Sequence, residues 1–220
     1  MARIEGNAGW RGSANAWLAA AYDELTDSGV DAVRIMPLAK RINLSRTSFY
    51  WFFKDREALL EALIDLWREK NTGCILKQAD AYAESVTEAL LNVMDCWLNR
   101  ELFDAKFEYA VRSWALQSPE VAADILRADN IRLKALTKLF ARYGHAPAAA
   151  DVKARTVYLT QIGYISMKTE EKLAERMTRI PYYVEIFSGQ APTRRELERF
   201  YARNGYREGG SQPVVVSAGD

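Results

Sequence analysis

Histidine is almost missing from this chain: His145 is the one imidazole in 220 residues. That scarcity argues against a His-based catalytic pair or a His-rich metal site. Cys74 and Cys96 form no CxxC pair and no cluster with metal-ligand spacing, so they read as two reduced structural thiols. No metal and no cofactor is expected. Long apolar runs are missing too. The uncharged stretch Gly12 to Tyr22 is too short to span a bilayer, and Met1 to Asn15 lacks the apolar core of a signal peptide. The chain therefore reads as cytoplasmic, with no membrane partner. Net charge is also scarce, at +1, so a polyanionic partner would have to be held by a patch and not by the bulk field. No nucleophile–base pair and no phosphate-cradling glycine loop is evident, and the chain is not expected to be an enzyme.

What the sequence does have is a concentration of cations in one stretch. Between Arg34 and Arg56 lie Arg34, Lys40, Arg41, Arg46, Lys54 and Arg56 against Asp55 alone, a local net of +5. This is the footprint expected where a phosphate backbone would lie. The same stretch, Val33 to Leu59, contains two very short apolar-periodic segments split by Asn43. Leu38 and Ala39 face inward from the first, and Leu44, Phe49 and Phe53 form the inward face of the second. Its other face carries Ser45, Arg46, Thr47, Ser48, Tyr50 and Trp51, all hydrogen-bonding or base-stacking types. Two short helices joined by a tight turn, the second with a polar and basic outer face, form a helix-turn-helix that offers a recognition helix to a DNA major groove.

These residues carry a resemblance. The stretch from about Ala14 to Leu63 resembles the DNA-binding domain of tetracycline-repressor (TetR) family transcription regulators. The matching features are an opening helix closed by Gly29, the Leu38-Ala39 pair, and Leu44-Ser45-Arg46-Thr47-Ser48-Phe49-Tyr50. The run Tyr50-x-Phe52-Phe53-x-Asp55-Arg56-Glu57-x-Leu59 is the most specific of them. Asn43 stands where the family usually has Gly; Asn is the next residue to tolerate a left-handed turn. Arg34 and Phe52 also depart from the family's usual residues.

The spacing along the rest of the chain predicts an all-α protein. Met1 to Gly12 reads as a frayed arm, within which Arg3 or Arg11 could touch DNA. Helices are expected over about 13–28 and from Asp55 as N-cap to about Lys70, with Pro37 in the first turn of the second helix. Asn71-Thr72-Gly73 reads as a break and a domain boundary. Beyond it, helical segments are expected over about Ala79–Asn99, Phe103–Gln117, Pro119–Tyr143 and Pro147–Met167. A further one starts near Thr169, with Pro181 kinking or splitting it. Thr193-Arg194-Arg195-Glu196 reads as a capping box that opens a last helix to about Asn204. The expected domains are a disordered arm over 1–12, a helix-turn-helix domain over 13–70, a helical ligand-binding and dimerisation domain over 74–206, and a disordered tail over 207–220.

The resemblance implies a homodimer and a small-molecule pocket in the second domain. Val152, Thr156, Leu159, Ile162, Gly163 and Met167, with Met177, Ile180, Val184 and Phe187, make two apolar faces that would pack with their copies across a two-fold axis. Met94, Trp97, Phe103, Phe107, Trp114, Tyr158 and Tyr164 could line an apolar cavity, with Gln161 or Arg112 as polar anchors. In the first domain, Arg46, Thr47 and Ser48, with Ser45 beside them and Trp51 at the edge, would meet base edges. Tyr50, Lys54, Arg56 and Arg34 would hold phosphates. The expected function is a dimeric regulator of transcription, a repressor released from a palindromic double-stranded DNA operator by a largely hydrophobic effector. The competing readings are an all-α carrier or enzyme with an incidental basic patch, and a DNA-binding regulator without a small-molecule ligand.

Overall fold

A computed structural model describes residues 13–207. The expected arm over 1–12 and all but the first residue of the expected tail lie outside the described residues. Among the described residues there are eleven α-helices and no strand. No helix there is long and apolar enough to cross a membrane. The chain divides into two compact units. One takes the described chain up to Gly73 together with Asp104–Asn130, and the other takes Cys74–Phe103 and the chain from Ile131 onward.

The first unit is built on α1 (Ala14–Ser28), α2 (Ile35–Arg41), α3 (Arg46–Phe49) and α4 (Arg56–Trp67). Side chains start three of these helices by accepting an otherwise orphaned backbone N–H. Ser13 accepts from Ala16, Ser45 from Ser48 and Asp55 from Ala58. Gly29 closes α1 at φ 86, and Asn43 takes the left-handed turn between α2 and α3 at φ 53. The buried face of α1, with Trp17, Ala20, Ala21 and Leu25, packs on Leu38, Ala39, Phe49, Leu59 and Leu63. Trp17 meets Phe49 edge to face at 5.1 Å, and Phe53 stacks on Phe49 at 5.6 Å. Phe49 is completely buried, so truncating it to Ala would cost about 3–5 kcal/mol.

This unit also holds α7 (Ala105–Ala115) and the first part of α8 (Pro119–Arg142). Phe107, Ala110, Val111, Trp114, Val121 and Ile125 belong to the same apolar cluster as Trp17 and Phe49. A polar seam fixes α4 to α7. The buried Glu108 carboxylate accepts from the Trp67 indole at 2.7 Å, the Asn71 amide at 2.9 Å and Arg112 Nε at 2.9 Å. Asn71 further donates to the Asp104 carbonyl and accepts from the Asp104 N–H. The compact units are therefore not consecutive in sequence.

The expected break at Asn71-Thr72-Gly73 is not a break. The helix continues through a π-turn at Arg68–Thr72, Gly73 is right-handed at φ −56, and α5 (Gly73–Asp80) follows directly. Asn71 looks like a loop residue but is buried with its amide fully engaged. The chain leaves the helix after Asp80 instead, and α6 (Val86–Leu98) restarts with Ser85 as N-cap.

In the second unit, α5 and α6 bring Cys74 and Cys96 to a Cα separation of 6.4 Å, and the two are joined in a disulfide. This corrects the reading of both as reduced thiols, because helix pairing and not sequence spacing sets the distance. The remaining helices are α9 (Pro147–Ser166), α10 (Leu173–Ser188) and α11 (Arg194–Arg203). α10 runs through Pro181 as one helix. The capping box of α11 forms: Glu196 accepts from the Thr193 N–H while Thr193 accepts from the Glu196 N–H. Glu196 also accepts from the hydroxyls of Ser85 and Thr87, tying α11 to the start of α6. Burial raises the pKa of the Glu196 carboxyl, but those hydrogen bonds outweigh it and leave the group below the ordinary carboxylate range.

Candidate nucleic-acid interface

The α1 and α4 core fixes the crossing of α2 and α3, and what remains outside is the candidate surface. Arg46, Thr47, Tyr50, Trp51 and Phe52 are exposed along and just after α3. Tyr50 and Trp51 keep about half of their surface in solvent, at 46% and 56%. Large aromatics are rarely left so open without a partner surface. Arg46 Nη2 donates to the Tyr50 hydroxyl at 3.1 Å, and the guanidinium carbon lies 5.7 Å from the Tyr50 ring centre. The pair presents a positively charged, donor-rich edge, the chemistry that meets guanine edges or phosphate oxygens.

Not every expected residue reaches this surface. Ser45 is exposed, but its hydroxyl is occupied as the α3 N-cap. Ser48 is buried, and its hydroxyl donates to the Ser45 carbonyl at 2.8 Å. Its place on the inner side of a one-turn helix takes it away from the outer face, which departs from the expectation. Arg56 also departs from it. Its guanidinium donates to the carbonyls of Val33 at 2.6 Å and Val30 at 2.7 Å, so it latches the Val30–Ala32 turn to the start of α4. Arg34 is exposed and its Nε donates to the Asp31 carbonyl. Lys54 is exposed and makes no ion pair among the described residues.

The +5 count of the sequence also overstates the local field. Arg41 is paired with Asp23 at 3.0 Å and Glu24 at 3.2 Å, and Arg56 lies 3.8 Å from Glu57. The outward cations that remain are Arg34, Lys40, Arg46 and Lys54. Met36 of α2 is exposed as well and was not singled out from sequence, and Lys40 of the same helix was counted there only as a cation. Their signal was present: both fall outside the Leu38-Ala39 face of that helix.

The residues expected to line a pocket separate into three groups. Met94, Trp97, Gln161 and Tyr164 border one small cavity of about 30 Å³ in the second unit, with Arg176 and Tyr183. Phe103 and Tyr158 lie elsewhere in that unit: both meet the buried Arg132, which donates to the Tyr158 hydroxyl at 2.9 Å. Phe107 and Trp114 belong to the core of the first unit, and Arg112 pairs there with Glu108 and Asp129. Helical periodicity marked all of these as inward-facing but could not say inward to which core. Arg176 and Tyr183 went unnoticed, because α10 reads as an apolar dimer helix.

Fold and surface together define an all-α helix-turn-helix protein with a helical second unit. The model of the family described as bacterial regulatory proteins, tetR family, matches residues 18–63, the segment running from α1 into α4. The N-terminal domain of this chain is a tetR-family domain. Tetracycline repressor protein class A from transposon 1721 of Escherichia coli is 32% identical over 89 residues, which is 37% of this chain and 41% of that protein. The chain thus matches about two fifths of that relative's length. Among solved structures, Salmonella enterica GusR superposes with a TM-score of 0.64 at 16% identity, covering 80% of this chain and 93% of that one. Mycobacterium smegmatis AmtR gives a TM-score of 0.58 at 16% identity, covering 94% and 99%. At such identities these two likenesses establish the fold.

Proposed function

We propose that the protein is a homodimeric, cytoplasmic DNA-binding regulator of transcription, a repressor that a small, largely hydrophobic ligand releases from a palindromic operator. The observation that carries the DNA reading is the exposed Arg46–Tyr50 pair on a helix-turn-helix whose core is otherwise closed. The family of the domain supports it. Arg46 and Thr47, with Trp51 at the edge, read bases; Tyr50, Lys54, Lys40 and Arg34 hold phosphates. Ser48 and Arg56 serve the domain's internal structure.

Dimerisation is supported by an apolar face without a partner in the protomer. Val152 and Leu159 are exposed on one side of α9, Met167 at the residue after its end, and Tyr182 and Ile186 on α10. Met177, Ile180, Val184 and Phe187 are buried inside the protomer, so they are not available to that face. Gly163 sits on the α9 face, where an added Cβ would meet nothing within 4 Å of its own chain. The ligand acts by preferring a shape of the dimer whose two recognition helices miss the spacing of the operator.

The test is footprinting of the DNA beside the protein's own gene. Two related half-sites with centres about one helical turn apart, ~34–36 Å, or a multiple of that, are expected. No protected palindrome at any salt concentration would remove the regulator reading.

A further inference from the structure

The small cavity between α6, α9 and α10 is unusual in its balance of donors and acceptors. Arg176 of α10 has two partners among the described residues: it donates to Gln161 Oε1 at 2.9 Å, and its guanidinium carbon lies 5.0 Å from the centre of the Tyr164 ring. Among the described residues no carboxylate lies within ion-pair distance of it. Burial pushes the pKa of its guanidinium below the ordinary arginine range, with Tyr164 and Tyr183 acting the other way. The hydroxyls of Tyr164 and Tyr183 share one hydrogen bond at 2.8 Å, which leaves one O–H proton of the pair over. Trp97 of α6 borders the same space, and its indole N–H is buried with no hydrogen-bond partner.

Arg176 is half-buried without a counter-ion, beside a buried donor without an acceptor, and an anion that reached both would relieve the cost of that arrangement. The site has spare donors from a guanidinium, an indole and a phenol, while its one side-chain amide oxygen is already used. What it lacks is an anion with two acceptor oxygens. The remaining walls are apolar, with Met94, Ile180 and Phe187, apart from Thr160, whose hydroxyl donates to the Thr156 carbonyl. A doubly charged phosphate would be poorly solvated there, whereas a carboxylate fits the planar fork of one arginine.

We propose that this cavity receives the carboxylate of a small organic acid with an apolar body, clamped by Arg176 and the Trp97 indole N–H. The assignment rests on the reading of the second unit as the effector-binding domain and names the chemical class of the effector. At about 30 Å³ the cavity holds roughly two waters, so an apolar body enters only if the cavity widens. Seating the apolar body parts side chains of α6 from those of α9 and α10, the helices that also carry the exposed apolar face. Ligand entry thereby reaches the helices of the proposed dimer.

The experiment uses the full chain and matched probes: phenylacetate against phenethyl alcohol, and hexanoate against hexanol, with chloride as an inorganic control. Each is titrated by calorimetry and by the shift in melting temperature. The acids should bind at least about tenfold more tightly than their alcohols, the size of a charge-assisted contact. Arg176→Gln should abolish that advantage, and Trp97→Phe should reduce it. The Trp97 indole N–H resonance, assigned by its loss in Trp97→Phe, should move when acid binds to the wild type. This reads the site even if Arg176→Gln folds poorly. Equal binding of acid and alcohol, binding of every probe unchanged in Arg176→Gln, an indole resonance that stays put, or no probe bound at millimolar concentration would each overturn the assignment. Operator binding by the same preparations separates the two readings. Intact operator binding without acid binding removes only the ligand class, whereas acid binding without operator binding removes the regulator.

Discussion

Arg46 and Tyr50 stand one helical turn apart on the outer side of the helix-turn-helix, and the guanidinium donates to the phenol oxygen at 3.1 Å before any DNA is present. The bond lowers the side-chain freedom that Arg46 loses on meeting a base, so the two residues should act as a unit. Tyr50→Phe should therefore weaken operator binding by more than one lost phosphate contact. A double-mutant cycle with Arg46→Ala, read by equilibrium binding to the operator, should show coupling of about 0.5–3 kcal/mol. Additive losses would show that the pair is incidental to DNA binding.

Arg56 separates internal structure from DNA contact. Its two bonds to the carbonyls of Val30 and Val33 cap a turn that lies directly before α2. Arg56→Gln should lower the stability of the domain by about 1.5–3 kcal/mol in urea denaturation, the range for hydrogen bonds from charged donors. At temperatures where the variant is folded, the slope of log affinity against log salt should match wild type. A slope reduced by about one would instead identify Arg56 as a phosphate ligand.

Glu196 makes the packing of α11 on α6 sensitive to acid. Its carboxyl titrates below the ordinary range because Ser85, the Thr193 backbone and the Thr193 and Thr87 hydroxyls together outweigh burial. A depressed folded-state pKa contributes stability that is present above the unfolded carboxylate value and lost as pH falls through the folded one. The stability of wild type in chemical denaturation should thus fall progressively as pH is lowered from about 5. Glu196→Gln should be less stable at neutral pH and lose part of that dependence. A wild-type and variant pair that fall in parallel would place the acid sensitivity elsewhere.

Gly163 tests the dimer face. Its Cβ position is open within the protomer, so Gly163→Ala should raise protomer stability by up to about 1 kcal/mol through helix propensity alone. Gly163→Leu should weaken the dimer in sedimentation equilibrium while the far-UV helical signal stays unchanged, because the bulk falls where two α9 helices approach. An unaltered dimer in Gly163→Leu would move the interface away from the α9 face.

Some of this was legible in the sequence and some was not, for reasons that differ by residue. Asp55 and the Thr193–Glu196 box announced helix starts because capping is local chemistry, satisfied within three residues. Asn43 announced its left-handed turn for the same reason. Asn71 misled because its polarity marks a loop only when water satisfies it; here Asp104 and Glu108, more than thirty positions later, do so instead. Ser48 on the one-turn α3 and Arg56 at the start of α4 misled in the opposite direction: both are recognition-type side chains spent on backbone carbonyls. Periodicity placed Trp114 and Trp97 in a core but gave no means of assigning them to different units.

The central claim is that the outer face of α3 reads DNA sequence while the surrounding cations hold its backbone. The most direct measurement is the affinity of wild type and Arg46→Ala for the operator and for random duplex across a salt series. The account predicts steep salt dependence for both proteins on both duplexes. It also predicts an operator-to-random ratio that falls by about tenfold or more in Arg46→Ala, as the loss of one bidentate base contact requires. An unchanged ratio, with affinity lowered equally on both duplexes, would contradict it and make Arg46 a backbone contact.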